Sequence, residues 1–250
     1  SAIVSQLTSP VKWYQTIEAL VELGYTEYVE IGPGKGAITQ LLADACNNLS
    51  VIELDRDLVP WLKVKFEKHP NFQLFQADAL QFDFAQLVQD AKPIRIVGNL
   101  PYNISSPLLF HLVSAAHAID EQVFMLQAEV VERMVSKAGG SEFSRLSVML
   151  QARYDMEQVL EVPPEAFDPQ PKVNSAVVRM IPRRDFSLND AQWHALEKVV
   201  AAAFSQRRKM LRTNLSAFAD RLSLSESELK ARAQDIPVER YIEWAKTLAQ

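Results

Sequence analysis

The sequence predicts an α/β fold, a doubly wound parallel sheet followed by a small all-helical domain, and three observations carry that prediction. Short β-rich runs alternate with helical stretches through the first half of the chain. A glycine-rich turn joins the first β run to the helical stretch after it. Beyond about residue 185 the pattern turns helical only.

The elements follow in order. Strands are expected over 28–31, 50–54, 72–76, 94–97 and 122–126, each a short apolar or β-branched run. Helical periodicity falls over 17–23, 37–45, 59–67, 85–89 and 107–116, the spacing of βα units wound on both faces of a sheet. Two further extended runs cover 154–162 and 176–181, joined by a proline-rich segment from Val162-Pro163-Pro164 to Pro171-Lys172. Connections of that length without regular structure are usually functional or mobile. Helices are then expected over 189–204, 205–218, 225–234 and 238–248, with Asn189 or Asp190 capping the first and Ser225 with Glu228 forming a capping box for the third. The predicted division is residues 1–185, an α/β domain with an atypical segment over 1–30, and residues 186–250, a helical domain.

Hydrophobic residues make up 48% and charged residues 23% of the 250, which excludes disordered, collagen-like and coiled-coil classes. The lone Cys46 cannot form an internal disulfide or a multi-cysteine zinc site, and His69, His111, His117 and His194 lack metal-motif spacing, so no metal is expected. No apolar run approaches a membrane span and no signal pattern opens the chain; a cytoplasmic protein with no membrane partner is expected. The net charge is −5, but it is unevenly distributed: residues 163–212 carry +4, while 1–100 and 101–162 carry −4 each. One basic zone on an acidic chain suits a polyanion that touches one face.

The turn Glu30-Ile31-Gly32-Pro33-Gly34-Lys35-Gly36 brings backbone amides close to a ligand at a helix start. Its glycines do not follow the Gly-x-Gly-x-x-Gly spacing of nicotinamide sites, so a different cofactor is expected. Glu53 closes the second strand, where a carboxylate accepts from ribose hydroxyls, and Asp78 with Ala79 follows the third, where an acid accepts from an adenine amine. After the fourth strand, Asn99-Leu100-Pro101-Tyr102 offers an amide oxygen, a carbonyl and an aromatic face. Acceptors on the hydrogens of an exocyclic amine return electron density to its nitrogen; Asn99 and the Leu100 carbonyl are the candidates, with Tyr102 stacking on the base.

These motifs resemble the ribosomal RNA adenine dimethyltransferases, through Glu-Ile-Gly-Pro-Gly (30–34), Val-Ile-Glu-Leu-Asp-Arg-Asp (51–57), Gly-Asn-Leu-Pro-Tyr-Asn-Ile-Ser (98–105), Val-Pro-Pro-Glu-Ala-Phe (162–167), Pro-Lys-Val-Asn-Ser-Ala-Val-Val-Arg (171–179) and Ala-Phe-Ser-Gln-Arg-Arg-Lys (203–209). The resemblance implies a Rossmann-like methyltransferase sheet, S-adenosylmethionine as cofactor, and dimethylation of two adjacent adenosines near the 3′ end of small-subunit rRNA on a pre-30S particle, by a monomer. It implies cofactor contacts at Gly32, Gly34, Glu53, Asp78, Ala79 and Asn99. It places the target adenine against Asn99, Leu100, Pro101 and Tyr102 with Phe167 on the opposite face, and RNA-backbone contacts at Arg207, Arg208, Lys209 and Arg212. A large-subunit rRNA adenine dimethyltransferase, or a chimeric RNA-binding protein, is the alternative.

Residues 1–36 depart from that family, whose members open with a basic leader and a Gly-Gln-Asn-Phe-Leu type motif. Here Gln6-Leu7-Thr8-Ser9-Pro10-Val11-Lys12-Trp13, followed by Glu30 to Lys35, resembles the end of the malonyl-CoA:acyl-carrier-protein transacylase chain. Transacylase chemistry is not expected, since no Gly-x-Ser-x-Gly elbow exists in the sequence. The segment is expected to supply a covering helix with Trp13, Ile17, Leu20 and Val21 facing inward.

Overall fold

A computed structural model describes residues 26–88, 93–167, 170–185 and 188–250. The expected helix over 17–23, with Trp13, Ile17, Leu20 and Val21, lies outside the described residues.

Seven strands, β1 (Glu27–Ile31), β2 (Asn48–Glu53), β3 (Phe72–Gln76), β4 (Ile94–Asn99), β5 (Ile119–Gln127), β6 (Tyr154–Val162) and β7 (Ser175–Pro182), form one sheet in the order β3-β2-β1-β4-β5-β7-β6. β3, β2, β1, β4 and β5 run parallel, and β7 pairs antiparallel with β5. The winding reverses between β1 and β4, which makes their carboxyl ends the crevice where open α/β sheets bind ligands. Buried Val29, Ile31, Val51, Ile52, Ile96, Val97, Val123 and Phe124 read as near-continuous apolar runs, as strands covered on both faces must.

Helices α1 (Ala37–Ala45), α2 (Leu58–Lys65) and α3 (Ser105–Ser114) follow β1, β2 and β4, each set by an apolar face such as Leu108, Leu109, Leu112 and Val113. Of the helix expected over 85–89, the described residues give only a 3-10 turn at Phe84–Leu87, where the Asp83 side chain accepts from the Ala85 amide and closes the turn locally, and Gln89 lies outside the described residues. Two helices that the periodicity did not reveal, α4 (Ala128–Val135) and α5 (Arg145–Gln151), follow β5; α5 is opened by a Ser144–Ser147 capping box.

The chain divides into two compact units, residues 1–131 with 157–182, and residues 132–156 with 183–250. The helical unit therefore takes in 132–156 as well as the stretch expected from about 186 onward. In it, α6 (Asp190–Ala203) turns Ala195, Leu196, Val199, Val200 and Ala203 inward, and α9 (Val238–Leu248) turns in Val238, Tyr241, Ile242, Trp244, Ala245 and Leu248. Tyr241 and Trp244 meet edge-to-face with centroids 5.1 Å apart, and Phe204 stacks at 6.0 Å from Tyr241.

The predicted helices over 205–218 and 225–234 are both broken. Asn214 Nδ2 donates to the carbonyls of Ala203 and Gln206, and Ser205 Oγ donates to Ala202, so α6 is closed off. Only α7 (Leu211–Asn214) and a 3-10 turn at Ser216–Phe218 remain of the first. The second keeps α8 (Glu226–Lys230), with the expected Ser225–Glu228 capping box, and a 3-10 turn at Ala233–Asp235. Between them Ala231 and Arg232 are drawn into an antiparallel bridge with 210–211, through Leu211 N to Ala231 O at 2.9 Å, a competitor that helical periodicity cannot reveal.

Candidate functional site

The site grows from the register of four adjacent strands. Ile31 lies opposite Ile52 on one side and Gly98 on the other, and Glu53 lies opposite Gln76. The chain segments leaving β1, β2, β3 and β4 therefore emerge along one sheet edge: the glycine turn, Glu53, Asp78 and Asn99.

Gly32, Gly34 and Gly36 hold φ of 66°, 54° and 70°, the left-handed region that side-chain-bearing residues avoid. Gly36 is also a matter of space, since a Cβ there would lie 2.9 Å from the Phe66 ring. Gly34 faces open space, with nothing within 4 Å of the position its Cβ would take. Among the described residues the amides of Gly34 and Lys35 donate to no acceptor, which leaves two donors at the start of α1. Gly98 permits the closest approach, because a Cβ there would stand 2.7 Å from the Ile31 carbonyl oxygen.

Three carboxyl groups stand on this edge. Glu53 is buried and its Oε1 accepts from the Asp55 amide at 2.9 Å, which fixes the side chain. Asp78 Oδ1 accepts from Leu80 N at 2.9 Å, holding the Asp78-Ala79 turn, and Ala79 is buried. Glu30, which sequence reading takes only as part of the glycine motif, is 1% exposed, and its Oε2 and the Thr39 Oγ1 are buried without a hydrogen-bond partner among the described residues. Burial pushes the Glu30 carboxyl up to about 7; the proximity of Thr39 draws it down, the neighbouring Glu53 pushes it further up, and Lys65 draws it down. An acid inside the apolar run Tyr28-Val29-Glu30-Ile31 was the available signal.

Asn99 ends β4 exposed, and its side-chain amide has no partner among the described residues. Leu100 turns its side chain into the core, 1% exposed, and its amide donates to Met125 O, while its carbonyl accepts no backbone hydrogen bond among the described residues. Pro101 and Tyr102 are exposed, and the loop is closed by Ile104 N to Pro101 O at 3.1 Å and Ser105 Oγ to Tyr102 O at 3.0 Å. The Tyr102 hydroxyl meets Ser175 Oγ at 3.1 Å, so the ring is tied to β7 at its far end. Sequence spacing could not point to Ser175, since 73 residues separate the pair.

Phe167 follows the Pro164–Ala166 turn and donates its amide to Pro164 O at 3.1 Å. Its side chain is half-buried, packed against the cluster that holds Val162 and Val177. It is not joined to Tyr102 by any ring contact among the described residues.

Arg207, Arg208, Lys209 and Arg212 belong to the helical unit, and all four are exposed. Arg207 donates to the Ser141 carbonyl, while Arg208, Lys209 and Arg212 have no carboxylate partner among the described residues. Four such cations favour a ligand that brings its own negative charge. Among the described residues no cluster of His, Cys, Asp or Glu could hold a metal ion, and no helix is long and apolar enough to cross a membrane.

Comparison with known proteins gives a consistent result. A family model described as ribosomal RNA adenine dimethylase matches residues 14–250. A ribosomal RNA small subunit methyltransferase A from Cupriavidus taiwanensis is 52% identical over 229 residues, 88% of this chain and 82% of the relative. The protein of that name from Saccharophagus degradans is 48% identical over 222 residues, 88% and 83%. Among solved structures, a dimethyladenosine transferase from Plasmodium falciparum superposes with a TM-score of 0.77 at 21% identity, covering 92% of this chain and 94% of its own. The 23S rRNA methyltransferase ErmE gives 0.68 at 25%, covering 94% and 98%.

Proposed function

The chain belongs to the ribosomal RNA adenine dimethylase family, and on that premise we propose that it dimethylates two adjacent adenosines near the 3′ end of small-subunit rRNA, with the site described above as its active site. It is an rRNA adenine dimethyltransferase with S-adenosylmethionine as cofactor. The observation that carries the residue assignments is the shared sheet edge: Glu53 and Asp78 beside the glycine turn, with Asn99-Leu100-Pro101-Tyr102 on the next strand end.

The residues present fit the cofactor. Its ribose needs a fixed acceptor, and Glu53, with one oxygen held by Asp55 N, keeps the other for a sugar hydroxyl. Its adenine needs an acceptor, and Asp78 is held in place by Leu80 N. Its sulfonium and ammonium charges suit an acidic lining, and buried Glu30 lies behind the glycine turn with an unpartnered oxygen. Gly32 and Gly34 let the backbone approach it, and the buried Ala79 turn closes the adenine end. When bound, the cofactor supplies an electrophilic methyl group.

The chain's own part is to present the amine. Asn99 Oδ1 and the Leu100 carbonyl accept the hydrogens of the exocyclic amine, which keeps the lone pair on nitrogen instead of in the ring. Pro101 stiffens the loop, and Tyr102, tethered through Ser175, gives the base a fixed stacking face. Phe167 would cover the second face by rotating out of its half-buried seat. The target base must leave its stack to reach this loop, and each transfer sheds one proton from the amine nitrogen to water at the exposed Asn99. Holding the amine in line with the methyl group accounts for most of the rate, because the leaving group is already good.

Arg207, Arg208, Lys209 and Arg212, on the unit of residues 132–156 and 183–250, supply phosphate contacts that set position more than sequence. A pre-30S particle as partner, a monomeric state and a cytoplasmic location follow from this reading. The small subunit is preferred because relatives near 50% identity carry that name, against 25% for the 23S methyltransferase. Incubating the chain with labelled cofactor and unmethylated small or large subunits tests it. Label in the small subunit alone is expected; label confined to the large subunit would move the assignment.

A further inference from the structure

Three left-handed glycines in five residues make the turn 32–36 the most entropically costly backbone on this edge, so something must hold it. Its own bonds are few: Gly32 N to Ile52 O at 3.1 Å, Gly36 N to Pro33 O at 2.8 Å, and Gln40 N to Gly36 O at 3.3 Å. As the N-cap of α1, Gly36 offers no side chain to secure the helix start.

The end of α2 supplies what the turn lacks. Lys65 Nζ donates to Lys35 O at 2.9 Å and to Gly36 O at 3.3 Å, across about thirty residues of sequence. The ammonium is itself held over the Trp61 ring, 4.8 Å from its centroid, and lies 5.2 Å from that of Phe66. Phe66 in turn occupies the space that a Cβ at Gly36 would need. The two residues thus form one device, a ring that packs against the turn and a cation that holds its carbonyls.

We propose that Lys65 is a positioning residue for cofactor binding, holding the Lys35–Gly36 carbonyls so that the amides on the other side of the turn stay presented to the cofactor. This rests on the reading of residues 32–36 as part of the S-adenosylmethionine site. Lys65 touches no reacting atom. Pulling on the carbonyls of 35 and 36 orients the peptide planes whose neighbours, the Gly34 and Lys35 amides, have no acceptor among the described residues. Its charge also draws the Glu30 carboxyl down while that of Glu53 pushes it up, and so favours an ionised carboxylate behind a cationic ligand.

The test measures cofactor binding and turnover separately, in the full chain and in Lys65→Met, Lys65→Arg and Lys63→Met. Lys63 is an exposed lysine on the same helix, with no hydrogen bond among the described residues, and serves as the control. Lys65→Met is expected to raise KM for S-adenosylmethionine, and Kd for S-adenosylhomocysteine by calorimetry, about 5- to 20-fold with kcat within about twofold. Lys65→Arg, whose guanidinium can reach both carbonyls and lie over Trp61, should recover most of the loss, and Lys63→Met should match the parent. An unchanged KM in folded Lys65→Met, or a fall in kcat alone, overturns the proposal. If the parent chain itself binds neither ligand, it is the cofactor-site reading that fails, and the two failures are distinct.

Discussion

Glu30 carries the sharpest single-residue consequence. A carboxyl raised from 4.5 to about 7 on folding keeps a proton that the unfolded chain has given up between those values, so folding stability falls as pH rises through that window and levels off above it. The span corresponds to roughly 3 kcal/mol. Urea unfolding at pH 5 and pH 8 should show the loss, and Glu30→Gln should flatten it; a parent equally stable at both would contradict the burial account. A cation-bearing cofactor favours the ionised form, so S-adenosylmethionine should bind more tightly as pH rises through 7. Tyr102 separates two roles in the same loop. Tyr102→Phe loses only the Ser175 tether, about 1 kcal/mol, whereas Tyr102→Ala removes the stacking face and should cost on the order of 10- to 100-fold in kcat/KM for RNA. Equal losses in the two variants would mean that the hydroxyl, not the ring, matters. The placement of Gly32, Glu53, Asp78 and Asn99 at strand ends along one sheet edge was legible because strand ends and turn chemistry are local; the contacts of Ser175 and Lys65 were not, because their partners are distant in sequence.

Elements show where periodicity informs and where it misleads. The central strands could be read from their apolar runs, and 154–162 agrees with β6 at both ends although β6 is largely exposed, with Pro163 marking its end. The breaks in 205–218 and 225–234 could not be read, because Asn214 and the Met210–Arg232 bridge compete for the backbone through tertiary contacts. The pairing of Gly98 in β4 with Ile31 in β1 predicts that Gly98→Ala, with its Cβ 2.7 Å from the Ile31 carbonyl, costs more than about 2 kcal/mol, read as a lowered urea midpoint. An unshifted midpoint would mean that the strands can part freely. In the helical unit, Trp244→Ala should cost about 3 to 5 kcal/mol, since its indole is 2% exposed and packs on Tyr241.

At the scale of the molecule, charge and chemistry are divided between stretches of the chain: the acids of the sheet edge fall in residues 30–78, and the basic cluster in 207–212. Replacing Arg208, Lys209 and Arg212 with Ala should weaken RNA binding at low salt and lower the slope of log affinity against log salt by roughly one for each phosphate left unneutralised, with cofactor binding unchanged. An unaltered slope would place the RNA-binding surface elsewhere. The most direct measurement is nucleoside mass spectrometry of small-subunit rRNA isolated without these methyl groups and incubated with the chain and S-adenosylmethionine. Two adjacent N6,N6-dimethyladenosines near the 3′ end, absent when Asn99→Ala replaces the parent, are the predicted result. Folded, cofactor-binding protein that leaves those adenosines unmodified would contradict the account.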